Sequence, residues 1–399
     1  MLGAIWRKLV AGLTALSEGL PHEKPASGRL QSAGTVYGAT ADEPLTTTGS
    51  GGASAARAPL HSQPPVATAQ ARSLQLLTMN NSAGNYDLFI DVNPGTYDSW
   101  VIAAKGASPI SDLANHLLNG TGTFIDVGAN IGTICVPVAL SGSNVIAVEL
   151  LPANCLRLFL AAIHNQLPNL RIVQAASTSE NCLLPYGGSE AWGHIVPGGE
   201  RIAVGLSLDT IVDFQLLCEA SFVRAPVVVK IDVEGHELEV LQGACELLDR
   251  YRPLVIFESI EMADADKTRT RAVKSLLTAR GYSLYLQRGS ILIPRGVTDL
   301  QEGLVSDFLA IPTEVISELS LPYEVRPLRT EERLAWIQEM VCNEAPHRRH
   351  AIGFIKVCFE QDPTFSSLAK HLLTPLLHDP DSSIASAAAS FLRVHRSPD

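Results

Sequence analysis

Two short stretches of the chain gather side chains able to do chemistry. The first is Phe124-Ile125-Asp126-Val127-Gly128-Ala129-Asn130-Ile131-Gly132, an apolar run that ends in a turn with glycines spaced G-x-x-x-G. Glycine there allows a tight turn and close approach of the backbone to a ligand. The end of such a strand is also where open α/β sheets bind small molecules. Glu149 closes the next apolar run, where a carboxylate can accept hydrogen bonds from both hydroxyls of a ribose. The second stretch is Lys230-Ile231-Asp232-Val233-Glu234-Gly235-His236-Glu237, a dense polar cluster directly after an apolar strand. Within it His236 has the ordinary titration range of a base near neutrality.

Each stretch has a plainer reading. The first would be a βα turn without a ligand, and the second a solvated turn in which Glu234 and Glu237 complement a helix dipole. A dinucleotide-binding loop is a third reading, but it requires G-x-G-x-x-G around a pyrophosphate at a helix N-terminus. Here Asn130 replaces the second glycine and Gly132 falls one position early. Asp126 would add like charge against a diphosphate. It suits a cation better, such as the ammonium and sulfonium of S-adenosylmethionine.

The elements that position these residues alternate. Strands are expected at 86–92, 124–127, 144–149, 170–174, 227–232, 254–258, 283–287 and 307–311. Helices are expected at 110–118, 131–140, 152–166, 207–219, 237–249 and 267–280. Pro152 suits a first helical turn and Ser207 an N-cap, while Gly281 closes the last helix. Residues 181–206 read as a Gly-rich hairpin excursion, and His194 beside Trp192 in it is a further acceptor-facing candidate. Apolar runs joined by helices of this length imply a mostly parallel sheet covered on both faces. The uncharged run 127–148 is long enough for a membrane span, but Asn130, Ser141, Gly142, Ser143 and Asn144 break it into strand, helix and strand.

Composition bounds the rest. The chain has 399 residues and a net charge of -11. Residues 1–75 carry a net +2, so the remainder carries -13. That acidity argues against a protein built to grip nucleic acid or anionic lipid. Ala, Gly, Ser, Thr and Pro fill 34 of the 52 positions from 21 to 72, so 1–75 is expected to be a disordered, low-complexity tail. Met1 to Leu16 reads as a short helix or tail rather than a signal peptide. Seven scattered cysteines without a CxxC pair read as small buried hydrophobes in a reducing, cytoplasmic setting. Residues 76–327 form the expected α/β domain. Residues 328–399 form an all-α appendage, with Asp362-Pro363 and Asp379-Pro380 as helix starts that hint at a HEAT-like array and a protein partner.

The motifs taken in order resemble one family. Ile125 to Gly132, Glu149, Leu208-Asp209, Lys230 to Gly235, Val240-Leu241-Gln242-Gly243-Ala244 and Phe257-Glu258 are similar to the FkbM-type methyltransferases over roughly residues 85–312. The resemblance implies a class I methyltransferase fold with a seven-stranded sheet. It also implies S-adenosylmethionine as cofactor and a hydroxyl oxygen of a sugar or secondary metabolite as acceptor. It places Asp126, Gly128, Asn130, Gly132 and Glu149 near the cofactor, with Gln174 and Ala175 flanking the adenine. Asp232, Glu234 and His236 fall on the acceptor side. Asp232, Glu234 and Glu258 are the carboxylates that could hold a divalent metal, although no ligand spacing demands one. The turn after Glu149 departs from the family pattern, because Leu150 and Leu151 precede Pro152. Two alternatives stand beside this reading: a non-catalytic interaction protein with a partner-binding helical C-terminus, and a nicotinamide-dependent dehydrogenase.

Overall fold

The computed structural model describes residues 74–91, 98, 101–102, 108–188, 193–260, 264–299, 305–342, 348, 351–353, 355–356 and 366–394. Residues 1–73 of the expected N-terminal tail, Trp192 and the Asp362-Pro363 helix start lie outside the described residues, while Leu74 and Gln75, the last two of that tail, begin a strand.

The chain opens with a hairpin, β1 (Leu74–Asn81) and β2 (Gly84–Asp91), paired in register from Leu74 opposite Asp91 to Asn81 opposite Gly84. Only β2 has the alternation that marks a half-buried strand: Tyr86, Leu88 and Ile90 point into the core. Helix α1 (Pro109–Leu118) follows, with the Ser108 hydroxyl accepting the Ser111 N–H. Then come β3 (Thr123–Val127), α2 (Cys135–Leu140), β4 (Asn144–Glu149), α3 (Pro152–His164) and β5 (Leu170–Gln174). The excursion forms a small sheet of its own from β6 (Ala176–Ser177), β7 (Cys182–Gly187), β8 (His194–Ile195) and β9 (Arg201–Leu206). Helix α4 (Leu208–Cys218) starts at Ser207, whose hydroxyl accepts the Thr210 N–H at 3.1 Å.

After β10 (Val227–Ile231), the single helix expected at 237–249 is two helices, α5 (Glu237–Gln242) and α6 (Cys245–Tyr251). The break is tertiary in origin. At Gly243 the backbone passes so near the Thr178 carbonyl that a Cβ would stand 2.1 Å from its oxygen. Asp209 then caps the second helix, its carboxylate accepting the N–H groups of Glu246 (3.0 Å) and Leu247 (2.9 Å). The Leu-Asp and Gly-Ala motifs are therefore two halves of one joint. The order continues with β11 (Leu254–Ile260), α7 (Asp264–Ala279), β12 (Tyr282–Arg288), β13 (Ile291–Arg295), β14 (Val305–Pro312) and β15 (Glu324–Val325).

The main sheet runs β15-β13-β12-β14-β11-β10-β3-β4-β5. Strands β5, β4, β3, β10 and β11 are mutually parallel, and β14 runs antiparallel between β11 and β12. The fold is the α/β, class I methyltransferase type expected, except that nine strands replace the expected seven. The added pair, β13 and β15, extends the β12 edge. Alternate residues of the central strands feed two cores. Phe124, Val145, Val228 and Ile256 join one, with helices α1 to α3 and the hairpin. Ile125, Ile146, Val229 and Phe257 join the other, with α4 to α7. This double-sided burial explains why the strands read as unbroken apolar runs.

Beyond the sheet, α8 (Thr330–Val341), α9 (Ser366–Leu373) and α10 (Ser382–Val394) close a third core around Ile337, Leu373 and Ile384. Asp379-Pro380 stands just before α10, and Asp381 accepts the Ser383 N–H at 2.9 Å in its first turn. The cysteines divide: Cys135 and Cys155 are buried as expected, whereas Cys218 and Cys342 are exposed. Among the described residues no helix is long and apolar enough to cross a membrane.

Candidate functional site

The parallel strands β3, β4 and β10 end together, and the turns leaving them line a solvent-open cleft. Gly128 sets its floor. Its φ is +83°, and a Cβ there would lie 1.8 Å from the Asp232 carbonyl oxygen, so the turn after β3 rests directly on the turn after β10. Glycine is the residue that meets both demands. Gly132, by contrast, lies against Leu158 and Val136 beneath the turn and does not line the cleft.

Glu149 ends β4 almost fully buried. One carboxylate oxygen accepts the Asn130 N–H and the other the Leu151 N–H, each at 2.8 Å. Asn154, in the first turn of α3, donates to the Asn130 side-chain oxygen at 3.0 Å. The carboxylate thus pins the glycine turn to β4 while it lines the cleft. The oxygen that accepts from Leu151 also takes the Asn154 side-chain amide at 3.5 Å, so the one bonded to Asn130 keeps lone-pair capacity for a ligand hydroxyl. Burial pushes its pKa up, while the two backbone N–H groups oppose that shift.

Register places the next group. Lys230 of β10 stands opposite Asp126 of β3, on the same face of the sheet. Its ammonium lies 3.5 Å from Asp126 and 3.1 Å from Asp232, and donates to the Gly128 carbonyl at 3.3 Å. Asp126 is 1% exposed, and neither of its oxygens accepts a close hydrogen bond among the described residues. Burial raises its pKa, and Lys230 works in the opposite direction.

On the opposite wall the His236 Nε2 is 3.1 Å from the Thr178 hydroxyl, and its Nδ1 is 3.6 Å from Glu239. Burial lowers its pKa, which favours the neutral imidazole near pH 7. His194 of β8 also lines the cleft. Ala175 lines it and Gln174 does not, since Gln174 is exposed at the strand end. The cleft therefore gathers Asp126, Gly128, Asn130, Glu149, Ala175, Asp232, Glu234 and His236 from the expected site, and leaves out Gly132 and Gln174. Sequence reasoning missed Ser177, whose buried hydroxyl lines the cleft without a hydrogen-bond partner among the described residues. It also missed Asn154 and Thr178. No spacing rule in the sequence marks these three, because they reach the site through packing.

A cationic nucleoside fits these residues. Asp126 is a buried carboxylate with Lys230 as its near cation, the buried Ser177 hydroxyl has no hydrogen-bond partner among the described residues, and carboxylates outnumber the one lysine along the wall.

Comparison with known proteins bears on the same stretch. Residues 126–284 match the family described as the methyltransferase FkbM domain. Over these residues the chain is similar to an FkbM-type methyltransferase domain. The match is narrower than the span expected from the motifs, and it covers under half of the chain. The solved structures similar to the chain include an FkbM methyltransferase from Methylobacillus flagellatus KT, at 16% identity and TM-score 0.32, covering 48% of this chain and 44% of that one. They also include a precorrin-6y C5,15-methyltransferase from Geobacter metallireducens, at 14% identity and TM-score 0.28, covering 47% and 78%. A third is an O-methyltransferase from Bacillus cereus in complex with SAH, at 14% identity and TM-score 0.33, covering 54% and 88%. The chain thus spans under half the length of the Methylobacillus protein. No curated protein matches the sequence.

Within the matched residues the leading motif positions each have a structural place. Asp126 and Lys230 face each other across two strands, Glu149 holds the glycine turn, Asp209 caps α6, and Gly243 rests on Thr178. Among the described residues no group of three or more His, Cys, Asp or Glu side chains is arranged to hold a metal ion, Asp232, Glu234 and Glu258 included.

Proposed function

We propose that the protein is an S-adenosylmethionine-dependent methyltransferase acting on a hydroxyl oxygen of a small acceptor, a sugar or a secondary metabolite. The observation that carries this reading is the single cleft in which Asp126, Gly128, Asn130, Glu149 and Ala175 meet Asp232, Glu234 and His236. Bound there, S-adenosylmethionine would supply an electrophilic methyl group on a positively charged sulfur. In this reading Glu149 accepts the ribose hydroxyls, Asp126 faces a cationic group of the donor, and the bare backbone at Gly128 lets the ligand approach. Asp232, Glu234 and His236 line the acceptor side.

Positioning two reactants can contribute up to about 7–11 kcal/mol to such a reaction, whereas a general base adds about 10²–10⁴-fold in rate. The protein's main task is therefore orientation and exclusion of water. The acid excess of residues 76–399 supports an acceptor other than nucleic acid.

The test is calorimetric titration with S-adenosylmethionine, followed by incubation with methyl-labelled donor and cell extract and identification of the labelled product. Binding that disappears in Asp126→Ala and Gly128→Arg supports the reading. Unchanged affinity in both variants refutes it. Tight binding with no labelled product favours the non-catalytic interaction protein.

A further inference from the structure

A second cavity, of about 420 Å³, lies beyond Glu234, and that residue lines both spaces. Its walls include Glu237, Phe257, Glu258, Arg269 and Thr270. It opens at the carboxyl ends of β10 and β11, under the first turns of α7. We propose that this second cavity receives the methyl acceptor, and that Glu258 takes the proton from its hydroxyl. The proposal rests on the methyltransferase reading above and names a site and a residue within it.

The geometry argues for Glu258 over its neighbours. Glu258 belongs to a central strand whose place is fixed on both sides, with Phe257 opposite Ile231 of β10 and Glu258 opposite Asp307 of β14. Phe257 and Phe308 stack with centroids 5.5 Å apart, which anchors the strand end. A reacting group on such an element is held more precisely than one on a loop. Asp232 is paired with Lys230 at 3.1 Å and does not line this cavity. His236 lines the first cleft rather than this cavity and is engaged with Thr178.

The groups facing Glu258 come from every adjoining element. Asp232, Glu234 and Glu237 follow β10, Asp307 comes from β14, and Asp266 and Arg269 come from α7. Burial first, then the surrounding carboxylates, push Glu258 up to about 8, into the range where a carboxylate is an effective proton acceptor near neutral pH. In the step itself the acceptor O–H bond breaks and its proton passes to a Glu258 oxygen. The acceptor oxygen forms the new O–CH₃ bond as the S–CH₃ bond of the sulfonium donor breaks, and the electron pair of that bond stays on sulfur.

The experiment compares the full-length wild type with Glu258→Gln, Glu258→Asp and Asp266→Trp, the last of which crowds the cavity from its rim. Donor affinity is read by calorimetry with S-adenosylmethionine. Transfer is read as labelled methyl entering cell-extract acceptors between pH 6 and 9. Glutamate carboxyl titration is followed by carbon-13 NMR on wild type and Glu258→Gln. The expected result is donor affinity within about twofold of wild type in all variants, with transfer in Glu258→Gln reduced at least about a hundredfold. The wild-type rate should climb towards pH 8, the residual Glu258→Gln rate should stay flat, and Glu258→Asp should recover part of the activity. One carboxyl resonance titrating near pH 8 should vanish in Glu258→Gln, and Asp266→Trp should lose transfer. Wild-type rate and pH profile in Glu258→Gln, or no carboxyl titrating above pH 6, overturns the role of Glu258. Full transfer in Asp266→Trp overturns the cavity as the acceptor site. Failure of the wild type to bind the donor, or donor binding without transfer at any pH, overturns the methyltransferase reading and this proposal with it.

Discussion

Replacing Gly128 with alanine tests the donor cleft with one methyl group. The new Cβ would sit 1.8 Å from the Asp232 carbonyl oxygen and 2.9 Å from its carbon, whereas carbon atoms pack at about 3.5–4.0 Å. The turns after β3 and β10 must therefore part by more than about 1 Å. Alanine at a φ of +83° adds a conformational cost of about 1–2 kcal/mol. A displacement of about 1 Å at a positioning site costs on the order of 10²-fold. The dissociation constant for S-adenosylmethionine should rise about 10- to 100-fold, which is about 1.4–2.8 kcal/mol. Gly289 supplies the control. Its φ is +55°, and a Cβ there would meet nothing within 4 Å, so Gly289→Ala carries the conformational cost without the collision. It should lower the thermal midpoint and leave donor affinity unchanged. Calorimetry on both variants, with circular dichroism to verify the fold, separates the two effects. If folded Gly128→Ala binds donor as tightly as wild type, the cleft is not the donor site.

Other predictions follow from single contacts. Ser177→Ala removes a buried, unpaired hydroxyl that lines the cleft. It should weaken donor binding by about 0.5–1.5 kcal/mol without lowering the thermal midpoint, and equal affinity by calorimetry would place the hydroxyl outside the donor site. Asp209→Ala deletes the acceptor of two N–H groups at the start of α6. It should cost about 1–2 kcal/mol of stability in denaturant melts while donor affinity persists. Glu258 is raised from 4.5 in the unfolded chain to about 8 in the folded protein, so between those values the folded state binds more protons and stability falls as pH rises. Glu258→Gln removes that loss and should raise the thermal midpoint more at pH 8 than at pH 5; an equal shift at both would contradict the assigned burial.

Much of this architecture could be read from local pattern. β4 and β5 span the residues expected of them, because a short apolar run framed by polar residues marks a strand's limits locally. Ser207 caps the helix that follows it as expected, since a hydroxyl that accepts an N–H three residues on is a local event. The glycine turn and its neighbouring acids were legible for the same reason: their chemistry is written within a few residues. β1 and β15 were not legible. β1 lacks alternation, and β15 is two residues long and paired only through β13.

The sequence by itself determined an alternating α/β sheet, the strand ends that carry Asp126, Glu149 and Asp232, and the acidic character of residues 76–399. Only the tertiary structure decided that Lys230 stands between Asp126 and Asp232, that the helix after β10 breaks where Gly243 meets Thr178, and that Glu234 separates two cavities. The reason is physical. Periodicity and turn chemistry act between residues close along the chain, whereas these three features join residues that are neighbours only through strand register and packing.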